Sequence, residues 1–247
     1  MTAGTGQTKV VTSRIENVRE LVARTRYVLF GFDGPICRLF PGHSAEAVAR
    51  VQAEWLTERG LYAVLTEEGR GHRDPYGMLT AVARRHPGSE LVAELEERLT
   101  RFELTAARTA MPTAYADPLI RTWTAVGAKL AVATDNSVRT VTSYLDSRRL
   151  TPCFAPHVYG RMPDLSPLKP HPAILERALN EMGAVPEASL MIGGTPSDHA
   201  AAHRAGVRFL GYARNPSRAR LLHEAGVPPQ TVTASLEPLL SALRERF

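Results

Sequence analysis

The sequence predicts an α/β fold, a doubly wound parallel sheet with an inserted helical segment, and three observations carry that prediction. From Asp117 onward, apolar runs of strand length alternate with stretches of helical periodicity. Near the N-terminus a further apolar run, Tyr27 to Phe30, stops abruptly in the loop Gly31-Phe32-Asp33-Gly34-Pro35. Between these regions, from about His43 to Ala116, the apolar spacing is helical almost throughout, with no convincing alternating strand.

Taken in order, Ile15 to Arg26 has helical spacing and leads into the first strand. Ser44 is the expected N-cap of a helix that Gly60 stops, and Asp74-Pro75 opens a second as N-cap and first-turn proline. A third long helix starts at Glu90 and runs to Ala110. Then come a strand (Ala128 to Thr134), a helix (Val138 to Arg148) and a short strand at His157 to Gly160. After a proline-rich loop follow a helix (Pro172 to Met182), a strand (Ser189 to Gly194), a helix (Asp198 to Ala205) and a strand (Val207 to Ala213). Parallel strands joined by helices need right-handed crossovers, which gives an open sheet. The expected division is a core of residues 1–41 and 117–247 with a helical insertion at 42–116. The C-terminal stretch from Ser235 is amphipathic and suits either the core or a partner.

Composition excludes several classes. A chain of 247 residues, 44% of them hydrophobic, can bury a full core. No apolar run of about 18 residues is present and the first residues are polar, so a soluble, cytoplasmic protein is expected, with no membrane partner. Cys37 and Cys153 are too few for a disulfide framework and lack metal-ligand spacing, so both read as free thiols. The net charge of +5 is spread along the chain rather than gathered in a stripe, and nucleic acid is not an expected partner. Only three of the 30 basic residues are lysine (Lys9, Lys129 and Lys169), which singles out Lys169 among its prolines.

In open parallel sheets ligands gather beyond the carboxyl ends of the strands. The residues just past those ends are Gly31 and Asp33, Thr134 to Ser137, the loop holding Lys169, and Gly193 to Asp198. Each has a plain structural alternative. Asp33 is suited to holding its own loop, Thr134 to Ser137 and Asp198 to helix capping, and Lys169 to a solvated loop.

In this order the segments "GFDG", "LAVATDNS", "LKPHPAIL" and "MIGGTPSDHAAAHRAG" resemble the four motifs of the haloacid dehalogenase-like superfamily of phosphatases and related hydrolases. The resemblance spans Tyr27 to about Ala213. It implies a Rossmann-like core, with the helical insertion as a C1-type cap that closes over the site. It also implies chemistry in which a first aspartate attacks phosphorus and a second acts as general acid, then base. By this likeness Asp33 is the acid/base residue, and Thr134, Asp135, Asn136 and Lys169 bind phosphate. Asp198 is a ligand of Mg²⁺, a hard ion that prefers oxygen donors.

The pattern departs from the family at two places. Gly31 stands where the nucleophile is expected and Gly194 where a metal-binding aspartate is expected. A residue without a side chain neither attacks phosphorus nor coordinates a cation. The expectation is therefore a hydrolase-like protein without the aspartyl-phosphate reaction. It would serve as a ligand-binding, regulatory or partner-binding module for a small anionic or phosphorylated molecule or a protein partner, with no cofactor bound tightly. The alternative is a phosphomonoester hydrolase or phosphotransferase that acts on a small phosphorylated metabolite through Asp33, and only that reading calls for Mg²⁺.

Overall fold

The structure, a computed structural model, describes residues 18–40, 45–61, 75–161 and 167–245. Ser44, Asp74 and the start of the first expected helix lie outside the described residues. Six parallel strands form the main sheet: β1 (Tyr27–Phe30), β4 (Lys129–Ser137), β5 (Val158–Arg161), β6 (Ser189–Gly193), β7 (Arg208–Tyr212) and β8 (Val232–Thr233). Their spatial order is β5-β4-β1-β6-β7-β8, which places β1 at the centre, paired with β4 on one side and β6 on the other.

Strand alternation explains the two helical layers. Successive side chains of a strand point to opposite faces. Val28 and Phe30 of β1, Leu130 and Val132 of β4, and Leu190 and Ile192 of β6 share one buried cluster. Leu29, Ala131, Ala133 and Met191 belong to the other. The first cluster is closed by Leu119, Ile120 and Trp123 of helix Ala116–Ala125, by Val141 and Leu145 of helix Val138–Ser147, and by the C-terminal helix. Phe30 meets Trp123 edge-on, with ring centroids 6.0 Å apart. The second cluster is closed by helices Ala173–Met182 and Pro196–Arg204. A central strand buried on both faces has to be apolar throughout, which is why β1 reads as an unbroken apolar run.

The inserted segment supplies helices Ala45–Glu58, Pro75–Arg85 and Glu90–Ala107, which share a separate core around Trp55, Leu56, Leu79 and Leu95. At its base the sequence reading needs a correction. Two short strands, β2 (Cys37–Arg38) and β3 (Met111–Pro112), pair antiparallel just where the chain leaves the core and returns to it. Two-residue strands carry too little periodicity to be read from sequence. Other boundaries also shift. β4 runs on to Ser137, past the expected end at Thr134, and the helix expected from Asp198 begins at Pro196. Cys37 is buried and Cys153 partly so, both as free thiols. Among the described residues no helix is long and apolar enough to cross a membrane.

Candidate functional site

The carboxyl ends of β1, β4, β6 and β7 open into a cavity of about 730 Å³. Eight residues singled out from sequence line it: Gly31, Asp33, Thr134, Asp135, Asn136, Lys169, Gly194 and Asp198. The strand-tip rule therefore brought together residues that lie far apart in the chain.

Gly31 is buried at the end of β1, its N–H donated to Ile192 O at 2.9 Å. Space does not demand a glycine there. A Cβ at this position would meet Ile192 O at 3.6 Å and Asp198 Oδ2 at 3.7 Å, ordinary contact distances. At Gly194 a Cβ would find Tyr212 O at 3.5 Å and Asp33 O at 3.8 Å. The neighbouring Gly193 differs, because a Cβ would come within 2.5 Å of Asp198 Cβ. Packing requires Gly193, whereas positions 31 and 194 each leave room for a Cβ.

Asp198 is the third residue of helix Pro196–Arg204 and shares a capping box with Thr195. Its backbone N–H donates to Thr195 Oγ1 at 3.1 Å, and Thr195 N–H returns a bond to Asp198 Oδ2 at 3.0 Å. Gly194 N–H donates to the same oxygen at 2.9 Å, and the ammonium of Lys169 is bonded to Oδ1. The capping alternative for Asp198 is thus realised, and both of its oxygens are engaged.

Lys169 is 4% exposed, which removes the solvated-loop alternative. Its Nζ also donates to Ala133 O at 3.1 Å. Burial alone pulls the Lys169 pKa down, but Asp198 and Asp135 outweigh it and leave the value raised. An ammonium has three donors. Two are used among the described residues, and Lys169 lines the cavity.

The other residues are equally tied. Asp33 lies at the exposed cavity wall and accepts Leu39 N–H at 3.0 Å, so it does hold its loop. The protein around its carboxylate displaces water and raises its pKa, an effect only partly opposed by Leu39 N–H, Arg218 and Arg214. Asp135 accepts Lys169 N–H at 3.0 Å, and burial lifts its pKa to about 6 against the pull of Lys169. Thr134 donates to Asn136 Oδ1 at 2.9 Å, and Asn136 Nδ2 in turn donates to Tyr76 OH at 2.7 Å. Ser137 is the N-cap of helix Val138–Ser147 without a side-chain capping bond.

Beneath Asn136 lies a buried polar network that sequence reasoning missed. Arg161, at the end of β5, donates to Glu96 Oε1 at 3.1 Å, Glu103 Oε1 at 3.0 Å, Thr100 Oγ1 at 3.0 Å and Asp135 O at 2.8 Å. Glu103 also receives Ser137 N–H at 2.8 Å and the hydroxyls of Tyr76 and Thr140. Helix Glu90–Ala107 of the insertion is thereby joined to the site loop after β4, and these anchors hold that loop extended through Ser137. The strand-tip rule, had it been applied to the ends of β5 and β7, would have flagged Arg161 and Arg214. Glu103 gives no such signal, since one acid on an amphipathic helix reads as solvated.

The walls carry Arg84, Lys169, Arg214 and Arg218 against Asp33, Asp135 and Asp198. Among the described residues, no group of three or more His, Cys, Asp or Glu side chains is arranged to hold a metal ion.

Comparisons with known proteins agree with this architecture. The family model described as haloacid dehalogenase-like hydrolase matches residues 81–212, just over half of the chain and beyond the first strand. No curated protein matches the sequence significantly. Among solved structures, a predicted phosphatase from Clostridium acetobutylicum is similar, with a TM-score of 0.65 at 16% identity over 90% of this chain and 99% of that one. A HAD family hydrolase from Deinococcus radiodurans R1, solved with bound phosphate and sodium, has a TM-score of 0.57 at 26% identity over 90% and 96% of the two chains. CbbY from Rhodobacter sphaeroides, solved in complex with phosphate, has a TM-score of 0.55 at 21% identity over 76% and 86%.

Proposed function

The chain belongs to the haloacid dehalogenase-like hydrolase family, and from that premise we propose that it binds a small phosphorylated or otherwise anionic molecule without forming an aspartyl-phosphate. The observation that carries this reading is Gly31. The centre of the sheet ends in a residue with no side chain, at a position where a Cβ would lie 3.7 Å from Asp198 Oδ2.

The donor set does not suit the Mg²⁺ of the family's chemistry. Two carboxylate positions are empty of side chains, and Asp198 already accepts from Lys169, Gly194 and Thr195. A strongly hydrated dication needs several free oxygens at close to octahedral positions.

What remains suits an anion. Lys169 and Thr134 both line the cavity, and Arg84 lines it from the inserted helices. With two acids fewer than the family pattern, a bound anion meets less repulsion at the strand tips. The relatives from Deinococcus radiodurans R1 and Rhodobacter sphaeroides were solved with phosphate, which supports the choice of ligand. In this reading the inserted helices are a cap over the cavity, to which they contribute Tyr76 and Arg84. The protein acts as a ligand-binding or regulatory module in the cytoplasm.

Asp33 favours a second reading. It faces the cavity with a raised pKa, the property of a general acid, and would serve a phosphomonoester hydrolase or phosphotransferase of altered mechanism. One assay separates the two. Purified protein with p-nitrophenyl phosphate or sugar phosphates and Mg²⁺ is expected to release no phosphate. Clear turnover that disappears in Asp33→Asn establishes the second reading instead.

A further inference from the structure

Building on the reading of this cavity as an anion site, we propose that Arg214 and Arg218 form a second anion subsite. The ligand is then a small molecule with two anionic groups, each a phosphate or a carboxylate.

Both arginines line the same cavity as Lys169. Arg214 lies two residues beyond Tyr212, the last residue of β7, and its base is fixed because buried Ala213 donates its N–H to Thr233 O at 2.9 Å. Arg218 sits in the first turn of helix Pro216–Glu224, where its N–H donates to the Asn215 cap at 2.9 Å. The backbone at both positions is therefore pre-set, and only the side chains have to be ordered on binding.

Their charge adds to the argument. Several surface arginines meet acids, as Arg139 does Glu97 at 2.6 Å, Arg148 does Asp117 at 2.5 Å and Arg177 does Glu181 at 2.9 Å. Among the described residues neither Arg214 nor Arg218 forms an ion pair. The acid whose charge they favour is Asp33, which lines the same cavity. Two exposed guanidiniums facing one acid leave a net positive charge at this end, and the guanidinium fork matches phosphate and carboxylate oxygens.

The spacing selects the class of ligand. Lys169 Nζ bridges Ala133 on β4 and Asp198 after β6, so it lies over the tip of β1, the strand between them. β7 is two strands away, which at the usual separation is roughly 10 Å. A single phosphate is too small to reach both ends. Two anionic groups on a short carbon chain reach both.

The test compares pentylphosphonate with the bisphosphonate carrying the same group at both ends of the same chain. Binding is measured by titration calorimetry in EDTA on the wild-type chain and on R214Q/R218Q. Both substituted side chains are exposed, so the variant should unfold at the wild-type temperature, which a thermal melt checks. The wild type is expected to bind the bisphosphonate about tenfold or more tighter than pentylphosphonate. R214Q/R218Q should lose that advantage while holding pentylphosphonate unchanged. If pentylphosphonate binds and the second group adds nothing, or if the gain survives in the variant, the subsite is refuted and the anion-binding reading stands. If neither compound binds the wild type, both fail.

Discussion

Gly31 and Gly194 are each a single side chain away from the family's pattern, and the surrounding backbone does not oppose restoring it. The nearest contacts of a new Cβ are 3.6 Å at position 31 and 3.5 Å at position 194. Gly31→Asp with Gly194→Asp is therefore expected to fold and to gain Mg²⁺-dependent hydrolysis of p-nitrophenyl phosphate, while each single variant stays inactive; a phosphate-release assay across the four proteins checks this. Asp135 gives a second prediction at this scale. Its carboxyl titrates near pH 6 in the folded chain and near 4 when unfolded. A folded pKa above the unfolded one means the folded state holds the proton more tightly. This stabilisation is full below about pH 4 and is lost as pH rises through about 6. Two pKa units correspond to roughly 2–3 kcal/mol. Asp135→Asn keeps an acceptor for Lys169 N–H and should flatten this part of the stability profile, measured by urea unfolding at several pH values. Both glycines were legible in the sequence because motif order identified their places. That both oxygens of Asp198 are already engaged was not, since its partners come from the loop before its helix and from another crossover.

At the scale of elements, the contact between helix Glu90–Ala107 and the ends of β4 and β5 rests on charge more than on apolar packing. Arg161 and Glu103 are both 0% exposed at their side chains. Burial alone would lower the Arg161 pKa, but Glu103, Tyr76 and Glu96 overcome it, so the guanidinium stays charged. Removing one partner of such a pair strands the other in a low-dielectric setting, a cost of about 3–5 kcal/mol. Arg161→Met is expected to lower unfolding stability by that amount in urea. It should also weaken phosphate binding, because the Asp135 carbonyl loses its partner, and Glu103, which accepts from Asn136 and Ser137, loses the guanidinium that fixes it. The helix itself was readable from its periodicity, and the structure adds its N-cap Ser89, whose side chain accepts from Val92 N–H. Its role in holding the site was not readable, because periodicity locates a buried face without naming what lies against it.

Over the whole molecule, the C-terminal helix Glu237–Arg244 settles a point the sequence left open, core or partner. Leu239, Leu240 and Leu243 are buried in the main cluster, on the sheet face shared with helix Ala116–Ala125. Leu239→Ala should cost about 2–5 kcal/mol, from lost transfer energy and the cavity left behind, as a lowered denaturation midpoint with unchanged phosphate affinity. Strand and helix alternation depends on local periodicity, so the sequence by itself determined the doubly wound sheet, the inserted helices and the set of strand-tip residues at the site. It also determined that positions 31 and 194 offer no carboxylate. Only the tertiary structure decided how the retained charges are shared out: Lys169 with Asp198, Arg161 with Glu96 and Glu103, and Arg214 and Arg218 left facing the cavity. Pairing of charges depends on distances between segments remote in the chain, and local sequence does not encode those distances until the sheet has brought the segments together.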